Sequence, residues 1–150
     1  MKKSAQSKLI TNRRATFDYY LDNEIIVGIS LTGAETKAAR MGHVQLKGSY
    51  ATINNNELWL INASFSVRSN EKGNDKTIDN RTRKLLAHRK QIDNLIESKK
   101  QGLTIIPTKM LTNGRFIKLI IATGQGKKKY DKREVIKKRD IARENARMLK

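Results

Sequence analysis

Residues 103–122 read LTIIPTKMLTNGRFIKLIIA. Two isoleucine-rich runs, Leu103–Leu111 and Arg115–Ala122, stand on either side of Thr112-Asn113-Gly114. An Asn-Gly pair supplies the positive φ that a tight hairpin demands, so the stretch predicts two antiparallel strands. Pro107, the only proline, cannot donate to a ladder, which places its strand at a sheet edge or a bulge. The same pattern recurs upstream, where Tyr50–Ile53 and Glu57–Ile61 flank three asparagines and predict a second hairpin. Glu24–Leu31, EIIVGISL, is a β-branched run broken by Gly28 and suits a buried strand with a bulge or a close backbone approach at the glycine.

Helices are fewer. Thr32-Gly33-Ala34-Glu35 has capping-box spacing and opens a short helix that Gly42 closes. From His88 to Lys100, the apolar residues Ile92, Leu95 and Ile96 fall at helical spacing, with Gly102 as the stop. Arg83–Ala87 suits strand or helix equally, and the polar run 66–82 around Gly73 reads as a long mobile loop. The sum is five or six short strands and two or three short helices in about 120 residues. That is a mainly β chain, and short hairpin-linked strands usually close into a small antiparallel β-barrel, which removes exposed edges.

The chain has 150 residues, one domain's worth, with 32 basic side chains against 14 acidic ones and a net charge of +18. Residues 127–150 hold eleven basic and four acidic groups, and the other 126 hold 21 and 10. The organisation expected is therefore a basic body, 1–126, and a denser basic tail, 127–150. The tail has too little apolar surface to offset its ordering entropy, so it should be disordered alone and take shape on a partner. Cysteine is absent, which excludes disulfides, thiol nucleophiles and cysteine-based zinc sites and fits a reducing compartment. With no long apolar run, and a basic Met1–Lys8 stretch that lacks the marks of a secretory signal, the expectation is a cytoplasmic protein without membrane contact. A large positive field on such a chain points to a polyanion.

Catalytic readings are poor. The two histidines, His43 and His88, have no metal-ligand spacing and read as a loop residue and a helix cap. Gly124-Gln125-Gly126-Lys127 lacks the first glycine and the Ser/Thr of a phosphate-binding loop. No enzyme and no cofactor are expected. RNA recognition instead needs lysine and arginine along a surface, with aromatics for unpaired bases. Asn12-Arg13-Arg14 precedes Phe17, Tyr19 and Tyr20, whose simplest role is core packing, as it is for Trp59 and Phe116. Tyr130 lies in KKKYDKR without apolar neighbours, where stacking on a base and plain exposure both stand open. Arg83, Lys84 and Lys118, on one barrel face, could follow an RNA backbone.

Several stretches together carry a resemblance. Asn12-Arg13-Arg14-Ala15, Asp18-Tyr19, the run Gly33–Arg40 (GAETKAAR), Ser49-Tyr50-Ala51, Arg83-Lys84-Leu85-Leu86, Gly102-Leu103-Thr104 with Pro107, and the run Gly126–Glu134 (GKKKYDKRE) occur in order from Asn12 to the C-terminus. In this ordered set the chain resembles the SsrA-binding proteins, also called small protein B. The resemblance implies a barrel of the oligonucleotide-binding type with three helices. It implies binding to the tRNA-like domain of transfer-messenger RNA, one protein to one RNA, and delivery of that RNA to ribosomes stalled on messages without a stop codon, for peptide tagging and release. It also implies a tail that becomes helical in the mRNA channel of the small subunit.

Residue by residue, Leu86 and Lys118 match positions linked to transfer-messenger RNA, and Arg13, Arg14, Arg83 and Lys84 are expected beside them. Asp131-Lys132-Arg133 matches the tail motif, and Tyr130 matches an aromatic or histidine that stacks in the decoding centre, with Lys127 and Lys128 leading into it. Two positions depart from the family. Ile26 stands where a glutamate is usual, leaving neighbouring Glu24 as a substitute, and Phe17 replaces a frequent histidine. Glu35 is expected to serve its helix rather than RNA. A structural ribosomal protein, with the tail as a nonspecific arm, is the alternative function.

Overall fold

The computed structural model describes residues 9–68 and 76–149. Met1–Lys8, the centre of the expected 66–82 loop with Gly73, and Lys150 lie outside the described residues. In chain order the elements are β1 (Ile10–Thr11), α1 (Arg13–Asp18), β2 (Tyr19–Ile29), α2 (Gly33–Arg40), β3 (Val44–Gln45), β4 (Tyr50–Asn54) and β5 (Glu57–Ile61). They continue as β6 (Ser64–Arg68), β7 (Lys76–Asp79), β8 (Arg83–Leu86), α3 (Arg89–Lys100), β9 (Thr104–Leu111), β10 (Lys118–Gly126) and α4 (Lys129–Met148). The protein is mainly β with short helices, and its strand pairings are antiparallel.

The large sheet runs β1-β9-β10-β2-β8-β5-β4, and β4 also pairs with β9 at Ala51↔Ile105. The strand order therefore returns to β9. Inside this ring the inward-facing residues make the core: Val27 and Ile29 from β2, Leu58 and Leu60 from β5, Leu85 from β8, Ile105 and Met110 from β9, and Leu119 and Ile121 from β10. Period-two alternation explains the choice, since each of these flanks outward residues in its own strand. A smaller sheet, β3-β6-β7, carries α2 against β6 and buries Phe65.

The hairpin signals fared differently. Asn55 and Asn56 have φ of 50° and 61° and join Asn54 to Glu57 in a two-residue turn, the geometry that asparagine tolerates best after glycine. The Asn113-Gly114 pair does not make a tight turn. Neither residue is among those with positive φ, and the strands are separated by residues 112–117. Arg40 holds this longer connection, donating through Nη1 to the Thr112 and Gly114 carbonyls (3.0 and 3.1 Å) and through Nη2 to the Arg115 carbonyl (3.0 Å). A side chain 72 residues away thus overrides the local turn preference. Pro107 sits at a bulge as expected: Ile121 pairs with Pro107 and Ile120 with Lys109, so Thr108 is the extra residue.

Asn12 positions α1. It is buried, caps the helix by accepting from the Ala15 N–H, and donates from Nδ2 to the carbonyls of Pro107 (2.8 Å) and Leu46 (3.2 Å). Thr32 and Glu35 form the expected capping box at α2, and Gly42 closes that helix with φ of 79°. His88 is the N-cap of α3, with its N–H donating to Gln91. The ends of the expected long loop are strands β6 and β7, in register from Phe65↔Asp79 to Arg68↔Lys76.

Candidate nucleic-acid interface

Strand register assembles the first part of the site. Lys118 on β10 pairs with Gly28 on β2, and Gly28 pairs with Leu86 on β8. Their neighbours Leu119, Val27 and Leu85 point into the core, so this row faces outward. Leu86 is 55% exposed. A Cβ at position 28 would lie 3.2 Å from the Leu86 Cβ, so the glycine lets Leu86 lie close over the β2 backbone. The next row is Ile26↔Ile120↔Lys109, with Ile26 also 54% exposed. Lys84, two residues before Leu86, shares the outward side of β8 and pairs with Glu57 at 3.0 Å. The result is a sheet face of aliphatic side chains bordered by the ammonium groups of Lys84, Lys109 and Lys118. Such a face can lay apolar stems against sugar and base while the charges meet phosphate.

Arg83 is not on this face. Alternation along RKLL gives Arg83 and Leu85 one side and Lys84 and Leu86 the other, and Arg83 is fully buried. Its guanidinium lies 3.9 Å from the Phe65 ring centroid. It donates to Glu35 through Nη2 (2.9 Å) and Nε (3.2 Å), and to the backbone carbonyls of Ala63, Arg81 and Asp79. Glu35 also accepts from Arg81 in a bidentate pair, both distances 2.7 Å, and from the Thr32 N–H at 2.9 Å. Burial alone would raise the Glu35 carboxyl, but Arg81, the Thr32 N–H and Arg83 outweigh it and bring the pKa down to about 2. The cluster ties α2 to the start of β8 and is structural.

The second part joins α1 to the tail. Arg13 and Arg14 are exposed, and Arg14 pairs with Asp18 (Nε to Oδ2, 2.9 Å) and lies 5.1 Å from the Phe17 ring centroid. The Lys127 N–H donates to the Asp18 carbonyl (2.8 Å), and the Lys127 ammonium reaches the Thr16 carbonyl (3.0 Å) and lies over Tyr20 (4.9 Å). Lys132, one turn into α4, approaches Asp18 Oδ1 at 3.3 Å, and Arg139 reaches the Phe17 ring at 5.8 Å. Desolvation, then the charge of and hydrogen bond to Asp131, push the Tyr20 phenol above its usual range. Lys128 is the N-cap of α4 and its N–H donates to Asp131. Arg133 and Tyr130 are exposed, Tyr130 at 69%. A hydrogen bond to Glu134, and then that carboxylate's charge, raise the Tyr130 phenol. No residue of α4 is buried.

The expected residues thus fall into two groups. Lys84, Leu86 and Lys118 share the sheet face, while Arg13, Arg14, Lys127, Lys128 and Tyr130–Arg133 gather where α1 meets α4. The core roles expected of the aromatics are corrected. Tyr20 and Phe116 are exposed, and Phe17, Tyr19 and Trp59 are only half-buried. Phe17 packs on arginine instead of core, because α1 turns it toward Arg14 and Arg139. Ile26, set aside as a departure from the family, lies on this face two residues from Gly28, and Lys109 joins it only because the bulge at Thr108 turns it away from the side of the buried Pro107. Among the described residues no group of three or more acids and histidines could hold a metal ion, and no helix is long and apolar enough to cross a membrane.

The family model described as "SmpB protein" matches residues 9–150, including both parts of this surface. The chain belongs to the SmpB family. The SsrA-binding protein of Lysinibacillus sphaericus is 41% identical over 152 residues, spanning 100% of this chain and 97% of that relative. The SsrA-binding protein of Rhodopseudomonas palustris is 45% identical over 143 residues, spanning 93% and 89%. An SmpB-family structure described as "tmRNA-SmpB: a journey to the center of the bacterial ribosome" superposes with a TM-score of 0.65 at 34% identity, covering 85% of this chain and 94% of its own.

Proposed function

We propose that this chain is a trans-translation factor. It binds the tRNA-like domain of transfer-messenger RNA and delivers that RNA to stalled ribosomes, where the nascent peptide is tagged and the ribosome released. Supporting this reading, relatives that match it nearly end to end are named for SsrA RNA, and the similar structure is described in terms of tmRNA and the ribosome. The observation that carries it at the level of residues is the exposed row Lys118–Gly28–Leu86, cationic at one end and apolar at the other. The strand ring closed at Ala51↔Ile105 reads as a small barrel of the oligonucleotide-binding type, with this row on its outer wall.

The tail is the ribosome-facing part. No residue of its helix is buried, and helices in proteins draw most of their stability from tertiary packing, so in the free protein it samples unfolded states and becomes fully helical only in an RNA-walled channel. There Tyr130, exposed beside Asp131, Lys132 and Arg133, has a free ring face for stacking on a decoding-centre base. The protein acts by binding.

Lys118→Ala tests the sheet face. Affinity for the tRNA-like domain should fall, and the slope of log K against log salt should shrink by up to about 0.9 as one phosphate contact is lost. A slope equal to that of the parent protein would take Lys118 out of the interface.

A further inference from the structure

Asp18 stands where α1 meets the base of α4. Its carboxylate faces Arg14 through Oδ2 (2.9 Å) and Lys132 through Oδ1 (3.3 Å), and its carbonyl accepts the Lys127 N–H (2.8 Å). The side chain is 22% exposed, with Oδ1 itself shut off from solvent, so the Lys132 contact is less screened than an open surface pair. Arg14 is 53% exposed and free to turn outward, while Lys132 is the first cation of α4 to reach back to the body through its side chain. One acid therefore serves an RNA-facing arginine and the base of the tail helix.

We propose that Asp18 is a positioning residue that couples RNA binding on α1 to the direction of the tail. The coupling rests on the reading of Arg14 as an RNA contact given above. In the free protein Arg14 neutralises much of the Asp18 charge, and α4 is held weakly. A phosphate that draws Arg14 outward leaves the carboxylate to Lys132, the attraction across the α1–α4 contact strengthens, and the helix base is seated. The RNA-loaded protein then presents its tail in one direction, whereas the unloaded protein does not.

The absence of cysteine allows a clean distance measurement. Spin labels on Lys37→Cys in α2 and Arg143→Cys in α4, both at exposed positions, report the tail's direction in the full-length chain. The probe is the isolated tRNA-like domain of transfer-messenger RNA, with its binding followed separately by fluorescence anisotropy. In the parent protein, saturating RNA should raise the ratio of docked to undocked distances. Asp18→Asn should lower that ratio about two- to fivefold and abolish its rise with RNA, as expected for loss of one partly screened ion pair. Lys132→Ala, which does not disturb α1, should do the same, and Asp18→Glu should retain the response. Arg14→Ala should raise the docked fraction before any RNA is added, an effect that a purely structural Asp18–Arg14 pair would not give. RNA that binds while Asp18→Asn and the parent show one distance distribution would overturn the coupling and leave the RNA-binding reading standing. RNA that does not bind the parent at all would overturn both.

Discussion

Replacing Glu35 by alanine should cost the fold about 3–5 kcal/mol, because it leaves the fully buried Arg83 guanidinium with only the partly exposed Asp79 carboxylate, at 3.7 Å, as counter-charge. The carbonyls of Ala63, Arg81 and Asp79 remain as acceptors, but none carries a charge. The same change removes the capping box of α2, since the Thr32 N–H loses its acceptor. Urea unfolding at neutral pH measures the loss, and a cost below about 1 kcal/mol would mean that the cluster is not a keystone. The carboxyl also sets an acid limit. Its folded pKa of about 2 lies below the ordinary carboxyl value of 4.5, so its stabilisation is complete above pH 4.5 and disappears as pH falls toward 2. That interval corresponds to about 3 kcal/mol, the same order as the loss expected of the substitution. The parent protein should lose stability across this window, and the alanine variant should lack that component.

Ending the chain after Gly126 should leave binding to the tRNA-like RNA largely unchanged while abolishing peptide tagging. Gly126 completes β10 by pairing with Tyr19, so the cut falls after the last strand position, and no buried residue lies beyond it in α4. The truncated body therefore keeps its core and its sheet face. What it loses is the cationic helix with Tyr130 to Arg133, the part proposed to occupy the RNA-walled channel. The two activities are read separately, RNA binding by gel shift and tagging by the appearance of tagged chains in a reconstituted translation reaction with a stop-less message. Tagged product from the truncated protein would show the tail to be dispensable.

Most of the sheet was legible in the sequence because period-two alternation and turn residues are local signals. Gly28 illustrates how far they reach: a glycine inside a β-branched run implied a close approach, and Leu86 makes it. Two of the failures share one cause, which is a partner distant in sequence. Asn113-Gly114 looked like a tight turn until Arg40 captured the carbonyls around it. Arg83 looked like a surface cation because arginine usually is one, and the Glu35 carboxylate, 48 residues away, is the main group that makes its burial tolerable. Alternation within RKLL already argued that Arg83 and Lys84 could not share a face, a signal present in the sequence and outweighed by charge. Helix α1 was missed because six residues are too few for periodicity to declare itself, and its cap, Asn12, is fixed by carbonyls at Leu46 and Pro107. In the candidate interface, Lys118 and Leu86 were named from resemblance, whereas their meeting across Gly28 needed the register.

The central claim is that this protein grips one particular small RNA rather than ribosomal RNA at large. Sequencing the RNA recovered with the affinity-tagged full-length protein from cells tests it most directly. Transfer-messenger RNA should dominate the recovered pool, far above its share of cellular RNA. Recovery of ribosomal RNA in stoichiometric amount, with transfer-messenger RNA no more abundant than in the lysate, would contradict the account and mark the chain as a structural ribosomal component.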